Sequence, residues 1–335
     1  RLITAQKGKR MTAELEKKKT SAETDSESGE KLYTGRIVKS TGGLYRVEIG
    51  GEGADKTGET VDCRAKGAFR RDKLIPLTGD KVRLRVTRTG EGFITEILTR
   101  KNSLIRPAVA NVDTLVLVIA SAHPDPDLYI LDKLTAIAAF NGIDTVLVIN
   151  KCDLKNADEL QKLYHTAGIP AFCLSASEPE ASHAVLEQIR TLMHGKTCFF
   201  SGASGVGKSS LLNALYPSLL KLETGEISRK IARGKHTTRV TELFKVDEST
   251  YIGDTPGFSM VDVAGFNLLT SEGLLDSFPD ISAFAHGCRY TDCTHLCEDG
   301  CKVVEAVKDG KIAPTRHESF VRLYKELKAV DPWKK

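Results

Sequence analysis

The 335-residue chain reads as a multidomain protein: a small N-terminal β-barrel, a central α/β unit on a parallel sheet, and a cysteine-rich C-terminal region with helices. Three observations predict this. Short alternating runs fill 31–105, apolar runs alternate with helical patterns over 106–270, and four of the eight cysteines crowd into 288–301, inside the last stretch, 271–335. The length itself exceeds that of one compact unit.

Residues 1–30 are rich in Lys, Glu, Ser and Thr and poor in large apolar side chains, so burial cannot offset their ordering entropy and a disordered tail is expected. From 31 onward, "GRIVKS", "LYRVEIG", "ETVDCRA", "DKVRLRVTR" and "GFITEIL" alternate apolar and polar residues between Gly, Asp and Thr breaks. Five such strands suggest a barrel of the oligonucleotide-binding type, the OB-fold. The net charge of +4 is uneven, since 31–106 carries an excess of about eight Lys and Arg over Asp and Glu. Arg64, Lys66, Arg70, Arg71, Lys73, Lys81, Arg83, Arg85 and Arg88 would form a basic surface suited to RNA, or simply the solvated face of a sheet. No apolar stretch approaches the roughly 20 residues that span a bilayer, and the charged N-terminus has no hydrophobic segment behind it. No membrane partner and a cytoplasmic location are expected.

"DTLVLVIA", "DLYILDKLTAIAAFNG", "DTVLVIN", "ADELQKLYHTAG" and "AFCLSAS" then set a βαβ rhythm that continues past "TCFFSG" and "STYIGD". Within it, "GASGVGKSS" at 202–210 is a phosphate loop between an apolar strand and a helix. Gly202, Ala203, Ser204, Gly205, Val206 and Gly207 turn backbone N–H groups toward an anion, Lys208 brings a positive charge to the outer phosphates, and Ser209, followed by Ser210, places a hydroxyl for Mg²⁺. About fifty residues later, "DTPG" puts Asp254 at a strand end, where it can hold Mg²⁺ through water, and the Gly257 N–H near a γ-phosphate. "NKCD" at 150–153 supplies Asp153, whose carboxylate can accept from both N1–H and the exocyclic amine of guanine, a pair of donors adenine lacks. Asn150 and Lys151 would brace the neighbouring loops. Ser175 and Ala176 of "SAS" could offer a backbone N–H to the guanine O6.

The base-reading motif thus precedes the phosphate loop. A parallel sheet does not dictate chain order, so the arrangement describes a guanine-nucleotide domain whose original ends were joined, a circularly permuted GTPase domain. "CRYTDCTHLCEDGC" adds Cys288, Cys293, His295 and Cys301, three thiolates and an imidazole spaced for one closed, structural Zn²⁺ site, with Cys297 as a fifth candidate ligand.

Basic barrel, permuted motifs and Cys/His cluster together resemble the ribosome small-subunit-dependent GTPase A family, the bacterial RsgA or YjeQ/YloQ type. The resemblance runs from about residue 33 to the end and includes "IRPAVANVD", "LDKLTAIA", "GKHTTR" at 234–239 and "RHESFVRLYKELK". It implies GTP hydrolysis to GDP stimulated by the small ribosomal subunit, contact with its 16S rRNA, and a role late in the assembly of that particle by a monomer. It also favours His295 over Cys297 as the fourth ligand, although spacing alone allows the exchange. Phe258 follows "DTPG" where many small GTPases carry a water-orienting Gln, so slow intrinsic hydrolysis is expected. Similarity makes His236 the candidate to orient or activate the water, and Thr237 or Thr238 the group closing on Mg²⁺ and the γ-phosphate; His236 could equally be a loop histidine that contacts RNA. Two other functions compete: a constitutive rRNA-binding scaffold with a structural nucleotide pocket, and a translation-factor-like GTPase on whole ribosomes.

Overall fold

Alternation in the sequence becomes a barrel. In the computed structural model, which describes residues 31–50, 58–65, 69, 74–104, 108–217, 241–254 and 269–329, the five short runs form β1 (Lys31–Thr41), β2 (Leu44–Gly50), β3 (Thr60–Ala65), β4 (Lys81–Val86) and β5 (Gly92–Ile97). They close in the order β1-β2-β3-β5-β4, with β4 returning antiparallel to β1. Along β4, Val82, Leu84 and Val86 are buried while Lys81 and Arg83 are exposed, the two-residue period of a strand with one wet face. A register shift between Ile37 and Lys39 lets the long β1 bend and pair on both sides. Inside, the walls meet closely: a Cβ at Gly92 would lie 2.3 Å from Cys63 Sγ, so only glycine fits there. The tail 1–30 and Lys66, Arg70, Arg71 and Lys73 lie outside the described residues.

A ribbon of β6 (Ser103–Leu104) and β7 (Val109–Ala110) leads into the central sheet. Its elements are β8 (Thr114–Ala120), α1 (Leu128–Phe140), β9 (Asp144–Asn150), α2 (Asp158–Thr166), β10 (Ala171–Cys173), α3 (His183–Met193), β11 (Thr197–Ser201), α4 (Lys208–Leu215), β12 (Leu243–Lys245) and β13 (Tyr251–Asp254). The strand order is β10-β9-β8-β11-β13-β12, parallel except for β12. Successive residues of the apolar strands serve opposite faces. Leu115, Leu117, Leu147 and Ile149 pack with α1 and α2, whereas Val116, Val118, Val146, Val148 and Phe200 pack with α3 and α4. The chain builds outward from β8 to β10, then returns to place β11 on the other side of β8. The crevice above β8 and β11 is therefore the topological switch point, where open α/β sheets bind ligands.

The C-terminal part, with α5 (Pro279–Ser282), α6 (Lys302–Lys308) and α7 (Pro314–Ala329), packs against the central domain. Phe278, Ile281, Val303, Phe320 and Leu323 join the same apolar cluster as α1 and α2. Arg316 of α7, 1% exposed, pairs with Asp132 of α1 at 2.7 Å and with Asp280 of α5 at 2.8 Å, and Tyr164 of α2 donates to Asp132 at 2.8 Å. On the far side, the barrel is tied to the sheet. Arg36 donates to Thr197 Oγ1 and lies 4.3 Å from the ring of Tyr251, while Lys39 pairs with Glu242 and Lys245 with Glu48, each at 2.8 Å.

Candidate nucleotide site and metal centre

The phosphate loop leaves β11 at Ser201 and enters α4 at Lys208. Gly202 lies so close to β8 that a Cβ would sit 2.1 Å from the Val118 carbonyl, and Gly207 caps α4 with φ +92°, a backbone that side chains rarely adopt. The loop's amides and the start of α4 thus converge above the sheet, an anion cradle. Lys208 Nζ donates to the carbonyls of Gly202 (2.6 Å) and Ala203 (3.2 Å), which holds the ammonium over the loop. Ala203, Ser204, Gly205 and Ser210 are exposed, Ser209 is half-buried in the first turn of α4, and Val206 is buried.

Asn150 ends β9 and is buried at 3% exposure. Its Nδ2 donates to the Val206 carbonyl at 2.9 Å, and its Oδ1 accepts from the Ala176 N–H at 2.9 Å. One side chain therefore fixes the phosphate loop and the Ser175–Ser177 loop to each other. The exposed Asp153 accepts from Ser175 Oγ at 2.6 Å, which ties its carboxylate to the Ser175–Ser177 loop. Lys151, at φ +63°, donates through Nζ to the His123 carbonyl, and its own carbonyl accepts from Ser121 Oγ at 2.6 Å. The amides of Ser175 and Ala176, considered from sequence as donors to a base, donate here to Ser182 Oγ and Asn150. Asp254 ends β13 with its backbone opposite Phe200, two positions before Gly202. His236, Thr237, Thr238 and Gly257 lie outside the described residues.

Ser121 and Ser182 went unnoticed in the sequence, because a serine after an apolar strand or before a helix carries no motif. Phe93 was missed for another reason. Ile94 faces the barrel interior, so parity alone puts Phe93 outside, and it is 36% exposed. Across the outer face, Arg64 and Arg85 stand opposite Phe93 on either side, and Leu44 and Leu32, 53% and 47% exposed, continue the row.

At the other end, ligand atoms of Cys288, Cys293, His295 and Cys301 lie within 4.8 Å of one another. His295 Nδ1 is 3.6 Å from both Cys288 Sγ and Cys301 Sγ. A tetrahedral zinc ion with bonds of about 2.3 Å to sulfur and 2.0–2.1 Å to nitrogen needs a ligand separation of about 3.6 Å, so the donor set fits that metal. Burial lowers the His295 pKa and favours the neutral imidazole a metal requires. Cys297 is exposed and stands outside the group. Glu298 shapes the loop, accepting from the amides of Thr294 (2.9 Å), Leu296 (2.9 Å) and Cys297 (3.1 Å). Burial opposes its ionisation, but these bonds and the Thr294 hydroxyl outweigh it and hold the carboxyl down to about 2.

A phosphate loop at the switch point of a parallel sheet, tied by Asn150 to an "NKCD" loop that comes earlier in the chain, defines a circularly permuted GTPase. Residues 97–264 match the family model described as RsgA GTPase, and residues 34–94 match the RsgA N-terminal domain. The chain is 40% identical over 302 residues to the small ribosomal subunit biogenesis GTPase RsgA of Alkaliphilus metalliredigens, covering 89% of this chain and 98% of that one. It is 39% identical over 297 residues to the protein of the same name from Caldanaerobacter subterraneus, 88% and 95% of the two chains. Among solved structures, YjeQ from Thermotoga maritima superposes with a TM-score of 0.72 at 34% identity, over 90% of this chain and 100% of that one. YloQ, a circularly permuted GTPase, superposes with a TM-score of 0.70 at 31% identity, over 92% and 99%. The chain belongs to the RsgA GTPase family.

Proposed function

We propose that this GTPase acts on the small ribosomal subunit late in its assembly, converting GTP to GDP and phosphate with turnover stimulated by that particle. Asn150 carries the nucleotide half of the proposal, because it holds the phosphate end and the base end of one pocket in register. Asp153 would read guanine through N1–H and the exocyclic amine, Lys151 would cover the base, and the amides of Gly202–Gly207 with Lys208 would hold the phosphates. Magnesium, held by Ser209, Thr238 and Asp254, would neutralise the phosphate charge when bound with the nucleotide. His236 would position the attacking water once the particle orders its loop, which suits a site where Phe258 stands in place of a glutamine.

The particle half rests on the barrel. An exposed aromatic between two arginines offers a stacking platform with phosphate partners beside it, the arrangement single-stranded nucleic acid favours, and 16S rRNA is the proposed ligand. Zinc, held by Cys288, Cys293, His295 and Cys301, would supply structural cross-linking of the C-terminal loop. The three working units are 31–105, 106–270 and 271–335, in a cytoplasmic monomer; among the described residues no helix is long and apolar enough to cross a membrane.

The test is GTP turnover by the purified protein, alone and with saturating small subunits, large subunits or whole ribosomes, with Lys208→Ala as the blank. A rise of at least tenfold with small subunits alone, about 1.4 kcal/mol off the barrier, is expected. No stimulation by any particle would overturn the ribosomal role.

A further inference from the structure

Two cysteines lie beneath the base-reading loop, and nothing in the nucleotide chemistry above uses them. Cys152 directly precedes Asp153, and Cys173 ends β10 two residues before Ser175. In the parallel pairing of β9 with β10, Cys173 stands opposite Ile149. Cys152 Sγ–H donates to that same Ile149 carbonyl at 3.2 Å, and the Cys152 amide donates to the Leu174 carbonyl at 3.1 Å. The backbone thus brings both side chains to the same face of the sheet, around the Ile149 carbonyl. Both are half-buried against one apolar cluster, and neither belongs to the Cys/His group.

The remaining surroundings set this pair apart. The neighbouring Cys173 thiol, outweighing burial, lowers the Cys152 pKa while Cys173 itself is raised, so Cys152 is the first of the two to ionise. Cys63 and Cys198, by contrast, are buried, and burial pushes each up to about 12. A half-buried thiol of lowered pKa beside a second thiol has the makeup of a redox-sensing dithiol, the usual reason for a disulfide in a reducing compartment.

We propose that Cys152 and Cys173 form a peroxide-sensitive dithiol whose disulfide weakens guanine-nucleotide binding by displacing Asp153. The Cys152 thiolate attacks one peroxide oxygen, the O–O bond breaks, and Cys152 becomes a sulfenic acid while the other oxygen leaves as water with the Cys152 proton. Cys173 then attacks the sulfenic sulfur; an S–S bond forms, the S–O bond breaks, and the second oxygen leaves as water with the Cys173 proton. Two thiols are oxidised by two electrons, and one peroxide is reduced to two waters. The covalent bond draws together the bases of the two loops that share the Asp153–Ser175 hydrogen bond, and so disturbs the carboxylate that faces the base.

The proposal rests on Asp153 reading guanine, and the experiment separates the two. Full-length, zinc-loaded protein is treated with hydrogen peroxide, alkylated and digested with trypsin. The expected product is peptide 152–155 joined to peptide 163–190, two hydrogens lighter than the pair and released by dithiothreitol. Affinity for a fluorescent GDP should fall at least tenfold on oxidation and return on reduction, and Cys173→Ser should bind like the reduced protein with or without peroxide. A missing joined peptide, a joined peptide with unchanged affinity, or Cys173→Ser that still loses affinity under peroxide would each overturn the proposal. Failure of the base reading registers separately and before any peroxide is added, as reduced protein that binds ADP as well as GDP, and it removes the affinity half of the proposal.

Discussion

Asp153 and Asn150 lie three residues apart and face different tasks, which substitution can separate. The Asp153 carboxylate accepts only, and in the proposed role it would meet guanine with two acceptor oxygens. Asp153→Asn replaces one oxygen with a donor that faces a donor, and a lost hydrogen bond to a charged group costs about 1.5–3 kcal/mol. GDP affinity should therefore fall by roughly 10- to 150-fold, while XDP, whose 2-position is a carbonyl, should lose much less; calorimetry with both nucleotides checks it. Equal losses would place Asp153 away from the base. Asn150 is internal, with both ends of its amide already committed. The motif letters were legible because phosphate and base chemistry demand particular residue types at fixed spacing. The partners that hold those letters were not, since Ser121, Ser182 and the Val206 carbonyl meet them only through the fold.

Elements show the same division between what periodicity reveals and what only packing decides. Alternation predicted each barrel strand, and the βαβ rhythm predicted the central sheet, because burial on one face or two leaves its mark in the local sequence. That α7 would dock on α1 was not legible, as the pairing of Arg316 with Asp132 joins positions far apart in the chain. Arg316 is held among Asp132, Asp280, Tyr164 and the Phe278 ring, 4.6 Å away, with almost no water. Arg316→Ala leaves the buried Asp132 and the part-buried Asp280 without their shared ion-pair partner and should cost about 3–5 kcal/mol, read as a loss of denaturant midpoint. If Arg316 merely filled space, Arg316→Met would rescue it; the charge argument predicts that Met rescues little. The metal loop gives a complementary test. Its side chains converge only through turns held by Glu298, so stripping the metal with a chelator should loosen 288–301 while leaving the barrel intact, seen as hydrogen-exchange protection lost in the loop alone. Phe93 makes the barrel's test. Phe93→Ala should weaken binding to single-stranded rRNA fragments by about 1–3 kcal/mol without moving the melting point of the barrel, since its ring packs outward.

On the scale of the molecule, the barrel and the nucleotide sheet meet at one seam, and its place in the chain matters more than its strength. Lys39 bridges to Glu242 in β-fashion, Thr78 Oγ1 donates to the Thr241 carbonyl at 3.2 Å, and Lys245 reaches Glu48. These three grips fall on 241–245, just after the "GKHTTR" segment proposed to sense the γ-phosphate, while Arg36 adds a fourth on Thr197 and Tyr251. Half-exposed ion pairs of this kind contribute about 1 kcal/mol or less to stability, so the seam does little to hold the fold together. It does join the barrel directly to the chain that leaves the segment proposed to sense the γ-phosphate, so a load on the face proposed to bind RNA would be passed there. Lys39→Ala and Glu242→Ala should therefore lower the stimulation of turnover by small subunits, leave unstimulated turnover unchanged, and shift the melting point by only a few degrees. If the two side chains act as one link, the double variant should lose no more stimulation than either single one. Additive losses would mean that each residue touches the particle on its own account, and the path from rRNA to nucleotide would then run through the C-terminal helices and Arg316 instead.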